Sequence, residues 1–395
     1  MDNYSQFFTS SIKQFHEEGR YRKFVNISRI AGDFPYATHN ESGKKVVLWC
    51  SNDYLGMGQD LTAINKAVTA ARKYGLGSGG TRNISGNSKV VVELEDQVAA
   101  IYGRESALTF VSGYIANDSS IQALAKIIPD LVIFSDQNNH ASIISGIRNS
   151  NLKKNIFAHN DMADLEKSLK KYDLKTPKLI IFESVYSMDG DFGKVEDIVK
   201  LAKKYGAMTF CDEVHGVGLY GEKGGGYCQE IGMDQEIDII QGTFAKAYAT
   251  IGGFIAASKE IVDAVRLNSS GFIFSTSLPP MIAAATMENV KYLSTSRKER
   301  QSMRQIVSYL KESLAKAEIE IVANDSHIVS IRIGDAKKAE TISGKLLSDF
   351  GIYVQHINYP TVPRGDERLR IIATPLHTTR MVDQLVDALK LQLKD

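Results

Sequence analysis

MTFCDEVHGVGLYGEKGGGYCQEIGMDQEIDIIQGTFAKAYATIGGFIAA, residues 208–257, holds three short apolar runs separated by glycine-rich turns. Short apolar runs bounded by turn residues read as strands buried on both faces, so strands are predicted at 208–211, 237–240 and 254–257. The first run leads directly into Asp212 to His215, and the second into Thr243 to Lys246. Working outward, similar runs predict strands at 46–50, 107–110, 131–134 and 179–182. Between them lie stretches such as VEDIVKLAKKYG (195–206), apolar at helical spacing, with Gly206 placed as the C-cap. Strands alternating with helices imply βαβ units, hence an α/β fold on a mostly parallel sheet covered on both sides.

The texture changes after residue 290. A charged helical stretch (297–316), a strand (327–333), a helix (337–350), a strand (352–354) and a terminal helix suit a smaller α+β domain. Residues 1–45 read as a polar, helical arm. The expected division is therefore 1–45, 46–290 and 291–395, and 395 residues suit two or three domains at roughly 150 residues each.

Composition narrows the functional classes. Apolar residues make up 43% and charged residues 24%, which is globular rather than disordered. Lys plus Arg number 47 against 46 Asp plus Glu, so no field favours nucleic acid or an anionic membrane. Three cysteines (Cys50, Cys211, Cys228) with no C-x-x-C spacing argue against a zinc site or a disulfide framework and fit a reducing cytoplasm. The N-terminus has no apolar signal region, and no run approaches the ~18 apolar residues of a membrane span.

Parallel α/β sheets present ligand groups beyond the carboxyl ends of their strands. Polar residues gather there five times in succession: Ser112 to Tyr114, Ser135 to His140, Glu183 to Ser187, Asp212 to His215, and Thr243 to Lys246. Asp212 alone reads equally well as a helix N-cap or as a carboxylate facing a pyridinium nitrogen. Lys246 lies in the small, apolar setting GTFAKA, which favours a desolvated, nucleophilic amine over a solvated surface lysine. SGYIAND (112–118) offers backbone N–H groups opening a helix, a usual phosphate seat and also ordinary turn chemistry. His140 reads as a satisfied buried histidine or as a ring stacked on a cofactor. GLGSGGTRNISG (75–86) lacks the preceding strand of a dinucleotide site and reads as a substrate-facing loop, while GEKGGG (221–226) reads as a turn.

Taken together, GSGGTRNISG (77–86), NNHASII (138–144), ESVYSMDGD (183–191), DEVHGVGLYG (212–221), GTFAKA (242–247), GFIFSTSLPP (271–280) and YPTVPRGDERLR (359–370) resemble the α-oxoamine synthases. The resemblance runs from about residue 20 to about residue 375. It implies the aspartate-aminotransferase-like fold of pyridoxal-phosphate enzymes (fold type I), with a seven-stranded, mostly parallel sheet and a smaller α+β C-terminal domain. The family joins an amino acid to an acyl-CoA with loss of CO₂. The blocks are most similar to the branch that condenses glycine with succinyl-CoA to 5-aminolevulinate, the first step toward haem.

The resemblance also implies roles. Lys246 becomes the Schiff-base lysine and proton acceptor, Asp212 the partner of the pyridinium nitrogen, and His140 the ring stacked on the cofactor. Ser187 and His215 fall near the phenolic oxygen. Ser112, the backbone of Tyr114 and Ile115, and the Thr243 hydroxyl hold the phosphate, with Ser275 and Thr276 reaching it from the second subunit of a homodimer whose sites lie at the interface. Glycine's carboxylate falls to Arg370 with Asn52 nearby. The succinyl group falls to Arg22 with Asn83, Ile84 and Thr361, and the CoA side to Ser135 and Lys154. Thr81 stands where bulk restricts the amino acid to glycine.

The chain departs from the family pattern at five positions: Val91 for His, Gly216 for Ala, Ala249 for Gly, Asp366 for a neutral residue and Ala373 for Pro. Asp366 is expected to add negative charge near Arg370, and Ala249 to tighten a turn. Sister reactions, such as those of 2-amino-3-ketobutyrate CoA ligase and 8-amino-7-oxononanoate synthase, are opposed by Arg22 and Thr81. A non-catalytic scaffold subunit is opposed by the presence of both Lys246 and Asp212.

Overall fold

The computed structural model describes residues 2–394. The chain divides into two compact units. One holds residues 57–187 and 191–300; the other holds residues up to 56, 188–190 and 301 onward. The N-terminal segment thus belongs with the C-terminal one, and the division falls near residues 56 and 300 where 45 and 290 were expected.

The larger unit is built on a seven-stranded sheet. Its spatial order is Ser106–Phe110, Gly253–Ala257, Ile239–Thr243, Met208–Asp212, Lys178–Glu183, Val132–Asp136, Lys153–Phe157. Only Gly253–Ala257 runs antiparallel to its neighbours. The central strands are buried along nearly their whole length, which requires helices on both faces. Leu108, Ile133, Ile181, Phe210, Ile239 and Ile255 share one core cluster there. Each predicted strand of this sheet exists: four run one to three residues further into their polar ends, while Ser106–Phe110 and Gly253–Ala257 end where predicted and begin one residue earlier. Lys153–Phe157 was missed because KKNIF is an edge strand, mostly exposed, with no apolar run.

Local signals explain the helices that flank the sheet. Gly206 caps Val195–Tyr205 at φ 62°, a left-handed position that suits glycine. The Ser112 hydroxyl accepts from the Ile115 N–H and starts Gly113–Ile127.

In the other unit, helix Asp2–Glu17 precedes strands Ile27–Arg29 and Tyr36–His39. These join Lys44–Leu48 and Ile352–Tyr353 in a four-stranded sheet. The expected arm is therefore helical only in its first part. Gly32, Pro35 and Gly43 interrupt any helix beyond residue 20. A second, three-stranded sheet pairs Ile328–Arg332, Arg368–Ile372 and Gln355–Ile357.

Candidate active site

The carboxyl ends of the parallel strands open on a cavity of about 210 Å³. Its walls include Ser112, Tyr114, His140, Asp212, His215, Thr243 and Lys246, drawn from four of the five predicted strand ends, with Glu183 from the fifth. Parallel order brings these distant segments together. Glu183 and Asp212 are register partners on adjacent strands, as are Asp212 and Gln241.

Asp212 is 3% exposed. Its Oδ2 accepts from Asn117 Nδ2 at 2.7 Å and its Oδ1 from the Val214 N–H at 2.8 Å. Burial pushes its pKa above the ordinary aspartate value, opposed by those two donors and by His140 and Lys246. A carboxylate so placed calls for a cationic partner. The Asn117 amide also donates to Ser142 Oγ at 3.0 Å, and Ser142 Oγ lies 2.8 Å from His140 Nδ1. Because Nδ1 also accepts from the Ser142 N–H at 3.2 Å, the imidazole proton belongs on Nε2. The ring is open to the cavity, yet the protein packed round it lowers its pKa, with Asp212 opposing and Lys246 adding to the shift. His140 is thus a neutral imidazole near pH 7.

The remaining expected cofactor contacts are distributed unevenly. Thr243 donates its hydroxyl to the Gly252 carbonyl at 2.9 Å and accepts from the Ala245 N–H. The Ile115 N–H is taken by the Ser112 cap. A Cβ at Gly113 would sit 3.2 Å from Thr243, and one at Gly253 would lie 2.5 Å from Gly113. Strand end and helix start therefore approach closely only because both residues are glycine. Ser187 is half-buried and does not line the cavity. Ser275 and Thr276 sit in a separate crevice with Arg82 and Thr109, and Thr276 bridges Thr81. The loop 77–86 is fixed by Arg82, which forks onto Glu95 at 2.7 and 2.8 Å. Asn83 and Ile84 stand exposed on it. Ser135 is buried, its hydroxyl engaged with Asn139 and the Asp136 carbonyl, while Lys154 is exposed.

In the other unit, Arg370 is 8% exposed and donates to Tyr54 Oη at 3.0 Å and to Asn52 Oδ1 at 3.5 Å. Burial, and then the charges of Arg370 and Lys311, hold the His327 ring neutral, with its pKa lowered to about 3. A second cavity of about 330 Å³ is lined by Arg20, Arg22, Lys23, His356 and Thr361 among others, and Arg22 Nη2 donates to Thr361 Oγ1 at 3.2 Å. Asp366 is paired with Arg332 at 3.1 Å, so its charge is balanced locally rather than left to act on Arg370.

The five departures take physical form. Val91 and Ala373 are fully buried apolar residues. A Cβ at Gly216 would lie 2.0 Å from Glu213 Oε2, which explains glycine there. Ala249 adopts φ 54°, the left-handed conformation for which glycine is the natural residue. Sequence reasoning gave no role to Asn117 or Ser142, and placed Glu183 at a loaded strand end without assigning it one. Asn117 lies one turn into the helix Gly113–Ile127 and Ser142 in the first turn of Ala141–Ser150, where a polar residue carries no signal of what it faces.

The chemistry of the donor set suits pyridoxal phosphate. It joins a half-buried amine, a buried acid in need of a cation, a neutral imidazole and a helix start at one cavity. The comparisons agree. The family model "Aminotransferase class I and II" matches residues 44–389. The 5-aminolevulinate synthase of Rickettsia prowazekii (strain Madrid E) is 50% identical over 389 residues, 98% of this chain and 94% of that protein. That of Bradyrhizobium diazoefficiens is 48% identical, covering 98% and 95%. Among solved structures, a serine palmitoyltransferase variant from S. paucimobilis with bound PLP–myriocin aldimine matches at TM-score 0.91 and 29% identity, covering 99% of this chain and 98% of that one. Serine palmitoyltransferase from Sphingomonas wittichii matches at TM-score 0.90 and 28% identity, covering 99% and 97%. With its fold-type-I sheet and its cofactor pyridoxal phosphate, the chain belongs to the class I and II aminotransferase family and, within it, to the 5-aminolevulinate synthases.

Proposed function

We propose that this chain condenses glycine with succinyl-CoA to 5-aminolevulinate, CoA and CO₂, the first step of haem or tetrapyrrole synthesis, in the cytoplasm. The observation that carries the reading is the convergence of Lys246, Asp212 and His140 on one cavity in a chain half identical to 5-aminolevulinate synthases. Pyridoxal phosphate, when bound, supplies the electron sink for the carbanion formed at glycine's α-carbon.

The protein's part is to bind, orient and move protons. The Lys246 amine would hold the cofactor at rest and, when free, would serve as the base for glycine's α-proton. Asp212 would keep the ring nitrogen protonated, and its own buried charge would gain the cation it needs. His140 spends Nδ1 on Ser142, which leaves its Nε2–H to stabilise the thioester oxygen as negative charge develops there. His215, which lines the cavity, would meet the phenolic oxygen, and Ser187, outside that lining, would have to turn toward it. Ser112, the backbone of Tyr114 and Ile115, and Thr243 hold the phosphate. Thr243 would do so by giving up its hydrogen bond to the Gly252 carbonyl.

Arg370 with Asn52 takes glycine's carboxylate, for which a guanidinium fork is suited. Arg22 and Thr361, already hydrogen-bonded to each other, take the succinyl carboxylate together with Asn83 and Ile84. Thr81 limits the amino acid to glycine, and Ser135 and Lys154 serve the CoA side. The active form is a homodimer in which Ser275 and Thr276 serve the partner's phosphate. This is supported by their position in a crevice apart from the residues lining their own chain's cavity.

Lys246→Ala tests the reading. The variant is expected to purify without the visible absorbance of the lysine-bound cofactor and to release no CoA from glycine and succinyl-CoA. Wild-type turnover in that variant sinks the assignment.

A further inference from the structure

Glu183 is the buried acid of this site that the mechanism above leaves unused. It ends the strand Lys178–Glu183 and stands in register with Asp212 at the end of the adjacent parallel strand. Register partners on parallel strands point to the same face, and both residues line the cofactor cavity. Glu183 is 2% exposed and Asp212 3%. Two carboxyls this close and this dry do not both ionise; one keeps its proton.

The hydrogen bonds decide which. Asp212 is equipped as an anion, with one donor on each oxygen: the Asn117 amide and the Val214 N–H. Glu183 has the backbone N–H of His140 turned toward its carboxyl. Its Oε1 is buried with no hydrogen-bond partner. The charged and titratable groups facing it are Asp212 on the adjoining strand, Asp136 on the strand Val132–Asp136, His140 at the helix start, and Lys246. The Tyr186 hydroxyl also lies 3.4 Å from the Glu183 backbone nitrogen. Two of these neighbours are acids. The amine of Lys246 is the group the cofactor engages.

We propose that Glu183 sits in the cavity wall as a neutral carboxylic acid, so that Asp212 alone carries the negative charge offered to the ring nitrogen. Glu183 is then a positioning residue, acting on the cofactor through Asp212 and through the backbone of His140. Burial, with the Asp212 charge beside it, pushes the Glu183 pKa well above the usual carboxylate range, in agreement. The inference rests on the reading of Asp212 as the ring-nitrogen partner.

Infrared spectroscopy of the holoenzyme labelled with ¹³C-glutamate tests it. A protonated-carboxyl stretch is expected at neutral pH, shifting in D₂O and vanishing in Glu183→Gln. The pH midpoint of the holoenzyme's visible band is expected to move by less than about half a unit in Glu183→Gln, because one neutral group replaces another. Absence of any protonated glutamate carboxyl in the wild type overturns the proposal, whether or not the variant folds. So does a fall of the visible midpoint by about one unit or more, the mark of a lost negative charge. Asp212→Asn tests the underlying reading separately. It is expected to lose turnover by roughly a hundredfold or more while the Glu183 band stays. Full activity in Asp212→Asn with the band retained overturns the role of Asp212 and not the protonation of Glu183.

Discussion

Lys246 closes a tight turn in which the Ala249 N–H donates to the Lys246 carbonyl at 2.8 Å. That turn puts Ala249 at φ 54°, a conformation that costs an L-residue about 1 kcal/mol or more. Glycine adopts it freely but loses more entropy on folding. Ala249→Gly is therefore expected to stabilise the protein by about 0.5 kcal/mol, read as a higher urea midpoint with unchanged slope. A lower midpoint contradicts the strain argument. The sequence alone marked Ala249 as a departure, because it stands where the family pattern has glycine, and the positive φ is what the structure adds. It did not mark Asn117 or Ser142. Asp212 was legible because it follows an apolar run. Its supporting network was not, because Asn117, Ser142 and His140 meet it through packing between a strand end and two helix starts.

At the scale of elements, the loaded edge of the sheet is held by side chains that join strand ends. His159, just past the strand Lys153–Phe157, places Nδ1 2.9 Å from Asp136 and Nε2 2.8 Å from Asp191. Burial alone lowers its pKa, but hydrogen bonds and charge from the two carboxylates overcome that and push it up to about 10 from the ordinary 6.5. A raised histidine pKa means the stabilisation is complete below about pH 6.5 and is lost as pH rises through about 10. His159→Gln is expected to cost about 2 kcal/mol near pH 7, discounted from a fully buried pair because the side chain is 19% exposed. Denaturation across this pH range checks it: the wild-type advantage should shrink toward pH 10, and a constant difference contradicts the charge clamp. The strands of this sheet were legible from apolar runs. The clamp was not, and the same holds for the edge strand it follows. KKNIF carries no periodic signal, and a histidine in a loop does not announce two carboxylates.

At the scale of the whole molecule, the sheet class was legible. The joining of residues 2–56 with the C-terminal segment was not, because strand pairs such as Val47 with Ile352 are long-range. Among the described residues no helix is long and apolar enough to cross a membrane. Large apolar side chains nevertheless stand exposed near the crevice of Ser275 and Thr276, with Phe274 at 80% and Ile84 at 68%. Exposed apolar residues on this scale suit burial against a second copy. Sedimentation at micromolar concentration is expected to give a dimer; a monomer that retains full activity contradicts the shared phosphate site. Substrate choice is decided by one assay. Purified holoenzyme is given glycine or alanine with each of succinyl-, acetyl- and long-chain acyl-CoA, and CoA release and the amino-ketone product are measured together. Glycine with succinyl-CoA is expected to be preferred by about tenfold or more in kcat/KM, since Arg22 would meet a carboxylate only in that acyl group, and the product is expected to be 5-aminolevulinate. Preference for acetyl-CoA or for alanine, or CoA release without that product, would contradict it.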